Sequence, residues 1–450
     1  MWTMSRLFSS WRDAAEVMAE GAARRSEVPV EDLTRYEPAS DRPDPVKLIE
    51  ATNDDRVPDL IPLRYQRMAE SPFTFLRGAA TVMAHDIARG PGTGMVGHIC
   101  GDAHASNFGF YASPERRLII DVNDFDETIV GPWEWDLKRL VASVMVAARS
   151  SHLPDDAGRR AARDCATGYR AALAELATMS LFEGHHMTTS HKTLEHIDMT
   201  DIADMFERVC KKARRNTSRR VAERFTARPE VDCWHFVAEP PILTHVSDEE
   251  RAHVLDGLDG YGDTIDGELR LLLSRYAVSD VAHRIVGLGS VGLRSYVVLL
   301  KGNGDEALIL QVKQARPSAL RPFLDGFGDR HEGQRVIEGQ RWMQTVSDPL
   351  LGWATVDGRP YLVRQFRDMK GSIDPSLLKA KQLDDYARLV GVVLARAHAQ
   401  SIDPRLLHGY CDADGAAFDS AFEAFAVAYA DQTEADHAAF RVVTQGIDGQ

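Results

Sequence analysis

The residue types most able to do chemistry lie between His98 and Asp136. Gly101-Asp102-Ala103-His104-Ala105-Ser106-Asn107 sets a carboxylate five residues ahead of a carboxamide. With that spacing an Asp can take the proton of a hydroxyl nucleophile while the Asn offers oxygen to Mg²⁺, as phosphoryl transfer requires. Asn123-Asp124-Phe125-Asp126-Glu127 follows an apolar run, Leu118-Ile119-Ile120, and supplies further acids. Asp124 is the first choice for a second metal ligand. Asp121, directly after the apolar run, is the alternative, and Asp126 could assist either. Any one of these acids would be equally at home in a solvated turn. Together they read as a site.

A second cluster begins at Gly287-Leu288-Gly289-Ser290-Val291-Gly292. A dinucleotide-binding turn of this pattern must open a helix. Here the chain runs instead into Ser295–Leu300, a Gly302-Asn303-Gly304 turn and Ala307–Lys313, which is strand, tight turn, strand. In that setting Gly287, Gly289, Ser290 and Gly292 would form a flap over nucleotide phosphates, and Lys313 would grip them. The Val usually found two residues after the last glycine is absent, and Arg294 stands there. The helix expected over 331–346 carries Glu338, the candidate partner of Lys313, with Glu332 as the other choice. Either acid could equally be an i,i+3 partner of an Arg. The strand from Arg359 to Phe366 would bring the Gln365 and Phe366 backbone to an adenine ring.

GDAHASN resembles the D-x-H-x-x-N loop of aminoglycoside phosphotransferases and choline kinases, and NDFDE resembles the Asp-Phe-Asp that follows it in some of them. Gly131-Pro132-Trp133-Glu134-Trp135-Asp136-Leu137 resembles their downstream Gly-Pro…Asp-Leu. The resemblance implies an ATP- and Mg²⁺-dependent transferase, with Asp102 as base and Asn107 and Asp124 on the metal. It also implies that Asp136 braces the loop and that His104 is structural. GDAHASNFG, NDFDE, GPWEWDLKRL, SPFTFLRG and VIEGQRWMQ are similar, more closely, to the bacterial "domain of unknown function 2252" family, over roughly residues 35–435. That likeness is specific as to family and carries no substrate.

The elements that must hold these groups come in rotated order. The base-and-metal half lies first, on a hairpin over 108–122. The glycine flap, lysine, helix acid and hinge lie last, before a long apolar helix ending near His398. In ordinary kinases such a helix feeds the catalytic loop, which here lies about three hundred residues upstream. Termini that meet at the surface make such a rotation tolerable. The expectation is an α+β, two-lobed, circularly permuted kinase-like fold. Residues 1–60 would form an N-terminal helix and an extended arm, and 61–274 a large, mainly helical lobe. Residues 275–370 would form a small antiparallel-sheet nucleotide lobe, and 371–450 helices completing the large one.

Bulk properties narrow the rest. A chain of 450 residues exceeds a single compact core. A net charge of −14 disfavours nucleic acid and anionic membrane surfaces as partners. Five scattered cysteines without a C-x-x-C pair fit a reducing compartment. No apolar run approaches a membrane span or a signal core, so a cytoplasmic protein is expected. Lys211–Arg220 carries six basic residues in ten, read as a solvated helix face. Arg64, Arg67 and Arg77 could reach phosphate from one side, or pair with carboxylates. The partners expected are a nucleotide and an unidentified acceptor. Rival readings are transfer of AMP on the same fold, a nucleotide-binding pseudoenzyme, and a metal hydrolase built on His98, Asp102, His104, Asp121 and Asp124.

Overall fold

In a computed structural model, residues 11–189, 199–227, 234–285, 287, 289, 291–304, 306–326 and 328–447 are described. The fold is mixed α+β, and its sheets are antiparallel. One large hydrophobic core is shared by the helices Trp133–Ser150, Asp155–Thr178, Ala380–Ala399 and Gly415–Ile447. A second, smaller core lies on a six-stranded sheet, where the helix Asp248–Tyr261 packs against it. The strands run Gly352–Val356, Arg359–Gln365, Ala307–Gln314, Ser295–Lys301, Ala277–Arg284, Leu243–His245 in spatial order.

The helix Trp133–Ser150 is buried on all sides of its first four turns, so its polar residues must find partners inside. Glu134 accepts from the Thr93 backbone N–H at 2.9 Å, and Arg139 donates to the Leu76 carbonyl at 2.7 Å. Two acids in the first turn, Glu134 and Asp136, also suit the positive end of the helix dipole. The long helix Ala380–Ala399 delivers its end to the strand Val96–Ile99. His98 N–H donates to Ser401 Oγ at 2.8 Å, and His398 Nε2 lies 3.2 Å from Asp136. The segment leading into the Asp102 loop is thus braced by chain from about three hundred residues further on.

Several local expectations are revised. The arm expected to be extended contains helices at Val30–Leu33 and Pro45–Ala51, the latter started by Asp44 accepting from Val46 N–H at 2.8 Å. A proline fits the first turn of a helix, where its missing N–H costs nothing, and so does not enforce an extended chain. The first helix is Ala14–Glu27. The basic run sits largely on the helix Ala203–Arg215 and the one that follows it, Ser218–Phe225, where Lys211 pairs Glu207 at 3.1 Å. No described helix is long and apolar enough to cross a membrane.

Candidate active site

Asp102 follows Gly101, whose φ of +77° belongs to the left-handed region. A Cβ there would stand 2.2 Å from the Glu127 carbonyl oxygen, so both the turn and the space demand glycine. The loop is pinned from three sides. Asp136 accepts from Cys100 N–H at 2.6 Å and Gly101 N–H at 2.8 Å. Ser143 Oγ accepts from Ala105 N–H at 2.8 Å, and Tyr386 donates to the Ala105 carbonyl at 2.7 Å. Asn107 Nδ2 reaches back to the carbonyls of Asp102 at 3.1 Å and Asp124 at 3.0 Å, joining the two acidic segments.

Asp102 Oδ1 accepts from Arg139 Nε at 2.6 Å, while Oδ2 lies 3.9 Å from His104 Nε2. Burial raises the Asp102 pKa against the opposing pull of Arg139. Burial, seconded by Arg77 and Arg139, drives the His104 pKa well down, so the imidazole is neutral. Asp124 is half exposed at 50%. Burial by the cleft walls would raise its pKa, but Lys313, Arg364 and Lys370 hold it down at about 2.

The Lys313 ammonium bonds Asp126 and lies 3.8 Å from Asp124 Oδ1. A lysine on the six-stranded sheet and acids beyond the hairpin strand Leu118–Val122 therefore share one cleft. Cavities of about 420 Å³ and about 320 Å³ meet there, with Asn123, Asp124, Gly287, Arg364 and Lys370 common to both. The larger reaches Gln311, Gln365 and Phe366, and the smaller holds Asp102, His104 and Asn107.

Not every expected residue is there. Glu338 accepts from Gln334 at 2.7 Å and pairs Arg330 at 2.9 Å, away from Lys313. Glu332 pairs Arg321 and Arg335. The helix Glu332–Met343 turns Arg335, not an acid, toward the NDFDE segment, where it donates to the Asp126 carbonyl at 2.9 Å. The lysine partner is therefore Asp126. Asp121 is also corrected: it is 1% exposed and ion-paired with Arg396, itself fully buried. The whole strand Leu118–Val122 is buried, and Asp121 lies in the core, away from the cleft. Gly287 and Gly289 border the cavities, but Gly292 (φ +90°) turns to the N-terminal arm, its carbonyl accepting from Val57 N–H at 2.8 Å. Ser290 lies outside the described residues. The backbone N–H groups of Gln365 and Phe366 already donate to Asp348 and the Ile309 carbonyl.

The set proposed for a metal hydrolase is not assembled. His98 stacks on Trp342 at 4.8 Å in another cavity, and Asp121 is committed to Arg396. Among the described residues no three His, Cys, Asp or Glu side chains form a cluster able to hold a metal ion. Sequence reasoning missed Lys370, which lies open at the junction of the cavities, its pKa drawn down first by burial and then by Arg364. Its only sequence signal was its place just past the strand Arg359–Gln365.

Fold and cleft define a mixed α+β protein with a charged site between an antiparallel sheet and a helical body. The chain belongs to a family described as uncharacterized proteins conserved in bacteria, the domain of unknown function 2252, whose model matches residues 56–442. No curated protein and no solved structure matches it.

Proposed function

We propose that the protein is an ATP- and Mg²⁺-dependent transferase that moves a phosphoryl group to a hydroxyl, on a circularly permuted kinase-like fold. The observation that carries this reading is the meeting of Lys313 with Asp124 and Asp126 beside Asp102. Residues far apart in sequence converge there on one polar cleft. ATP would occupy the larger cavity, with Lys313 and Lys370 on its phosphates. The acceptor would enter the smaller one.

Asn107 and Asp124 suit a hard cation. Asp124 stays ionised and half exposed, and Asn107 spends its amide protons on carbonyls, which leaves its oxygen for a ligand. Mg²⁺ held by these two would neutralise charge on the transferred phosphate. In the transfer, the acceptor oxygen bonds to the γ-phosphorus as the bond from phosphorus to the bridging oxygen breaks. That electron pair leaves on ADP, and the hydroxyl proton passes to Asp102 Oδ2. Arg139 holds Asp102 Oδ1 and so fixes the direction of the other oxygen.

The reading is tested by thermal denaturation with ATP, Mg²⁺, or both. Saturation at a hundred times Kd would stabilise the fold by about 2.7 kcal/mol. The expected result is stabilisation only with both, lost in Lys313→Met and Asp124→Asn. No response to nucleotide, or one indifferent to both variants, would overturn it.

A further inference from the structure

Five arginines line the smaller cavity: Arg364 is shared with the larger one, and Arg56, Arg64, Arg77 and Arg316 belong to the smaller one alone. Arg56 is 9% and Arg64 1% exposed. The guanidinium groups of Arg56, Arg64 and Arg316 are held by neutral acceptors. Arg64 donates to Asn53 Oδ1 at 2.8 Å and the Gly78 carbonyl at 3.2 Å, and Arg316 and Arg56 both donate to the Thr52 carbonyl. Among the described residues, the buried Nε atoms of Arg64 and Arg77 have no hydrogen-bond partner. Among the described residues, none of the four has a carboxylate within ion-pair distance.

The four acids on the same cavity have other partners or roles, Asp124 being the proposed metal ligand. Asp102 binds Arg139, Asp126 binds Lys313, and Glu127 accepts from Ala319 N–H at 2.5 Å. Burial, with Arg64 and Arg316 as like charges nearby, pulls the Arg56 pKa down to about 9 against the opposing pull of Glu127 and Asp126, and burial takes Arg64 to about 10. A buried positive charge with no carboxylate bonded to it is costly, and neutral carbonyls position it without neutralising it. Such a wall is completed by an anion. Several forks converging on one small space suit the tetrahedral oxygens of a phosphate dianion better than a single carboxylate.

We propose that this cavity is the acceptor pocket and that the acceptor is a small hydroxyl compound bearing a phosphomonoester. The phosphate would sit on Arg64, Arg77 and Arg316, with the hydroxyl toward Asp102. The proposal rests on the transferase reading. It assigns the arginines to the acceptor because they line the cavity without Gln365 and Phe366, whereas the nucleotide side holds both.

Titration calorimetry at constant ionic strength would use inorganic phosphate, glycerol 3-phosphate and glycerol as probes. Both anions should bind and glycerol should not. Arg77→Gln and Arg316→Gln, both at half-buried positions, should each weaken anion binding about tenfold and keep the response to Mg·ATP. Arg77→Lys should restore part of the loss. Lys313→Met should change anion binding less than about twofold. Absence of anion binding, indifference to both arginines, or loss in Lys313→Met would overturn the proposal. Arginine-dependent anion binding without any Mg·ATP response would leave an anion pocket but remove its acceptor role. A Mg·ATP response without arginine-dependent anion binding would keep the transferase and sink this pocket.

Discussion

Asp102, Asp121 and His98 owe their different roles to what touches them. Asp102 keeps one oxygen free of Arg139, so Asp102→Asn should retain the Mg·ATP response while transfer falls about 10²–10⁴-fold. Turnover at the native rate would remove it as the base. Asp121 is locked to Arg396 in the core, and Asp121→Ala leaves that guanidinium charged and unpaired. A loss of about 3–5 kcal/mol is expected in urea denaturation. A loss below about 1 kcal/mol would return Asp121 to the list of surface ligands. His98 is held at about 4, first by burial and then by Arg330. An unfolded imidazole titrates near 6.5, so the unfolded chain binds more protons between about 4 and 6.5. Stability is therefore full above that window and declines as pH falls through it, by on the order of 3 kcal/mol for this group. His98→Gln should flatten the slope of the denaturation midpoint between pH 7 and 5, and an unchanged slope would contradict the assignment.

Among the elements, the loop between the strand Val96–Ile99 and Asn107 depends on two fixed points, the Asp136 brace and the Gly101 turn. Gly101→Ala should cost about 2 kcal/mol or more and abolish nucleotide-dependent stabilisation, because the loop must move away from Glu127. A variant with native melting and native nucleotide response would show that the turn tolerates a side chain. Much of this part was legible in the sequence. The hairpin appears as Phe108–Ala112 and Leu118–Val122, and the strand pair as Ser295–Lys301 and Ala307–Gln314. The late apolar helix appears as Ala380–Ala399. What was not legible depends on direction in space. Periodicity locates the helix Glu332–Met343 but not which of its residues meets the NDFDE segment, and that residue is Arg335. Alternation does not say which face of the strand meets the cleft, so it cannot tell that Asp121 turns into the core while Asp124, past the strand's end, reaches the cleft. Of the arginine wall, the trio Arg64, Arg67 and Arg77 hinted at two members; Arg56, nearby in sequence, carried no signal of its own, and Arg316 comes from a distant segment.

For the molecule as a whole, the sheet and the helical body are joined beyond the strand Arg359–Gln365 by a short connection. Arg367 and Met369 there both have φ of +48°. Two residues in the left-handed region store backbone strain that a change in lobe angle could release. Mg·ATP should therefore slow amide exchange together in the glycine segment, the 123–127 segment and residues 366–370. Protection confined to one of them would argue against closure of the cleft as a unit. The link between Gly292 and Val57, reinforced by Arg56 donating to the Val291 carbonyl, gives such closure a further result. The glycine segment cannot settle over a nucleotide without pulling on the arm that carries Arg56, and an anion on Arg316, which shares the Thr52 carbonyl with Arg56, would act back on the same segment. Two ligands joined through one hitch each change the other's affinity by the same factor, whichever arrives first. The chain would then sense its second substrate while binding its first.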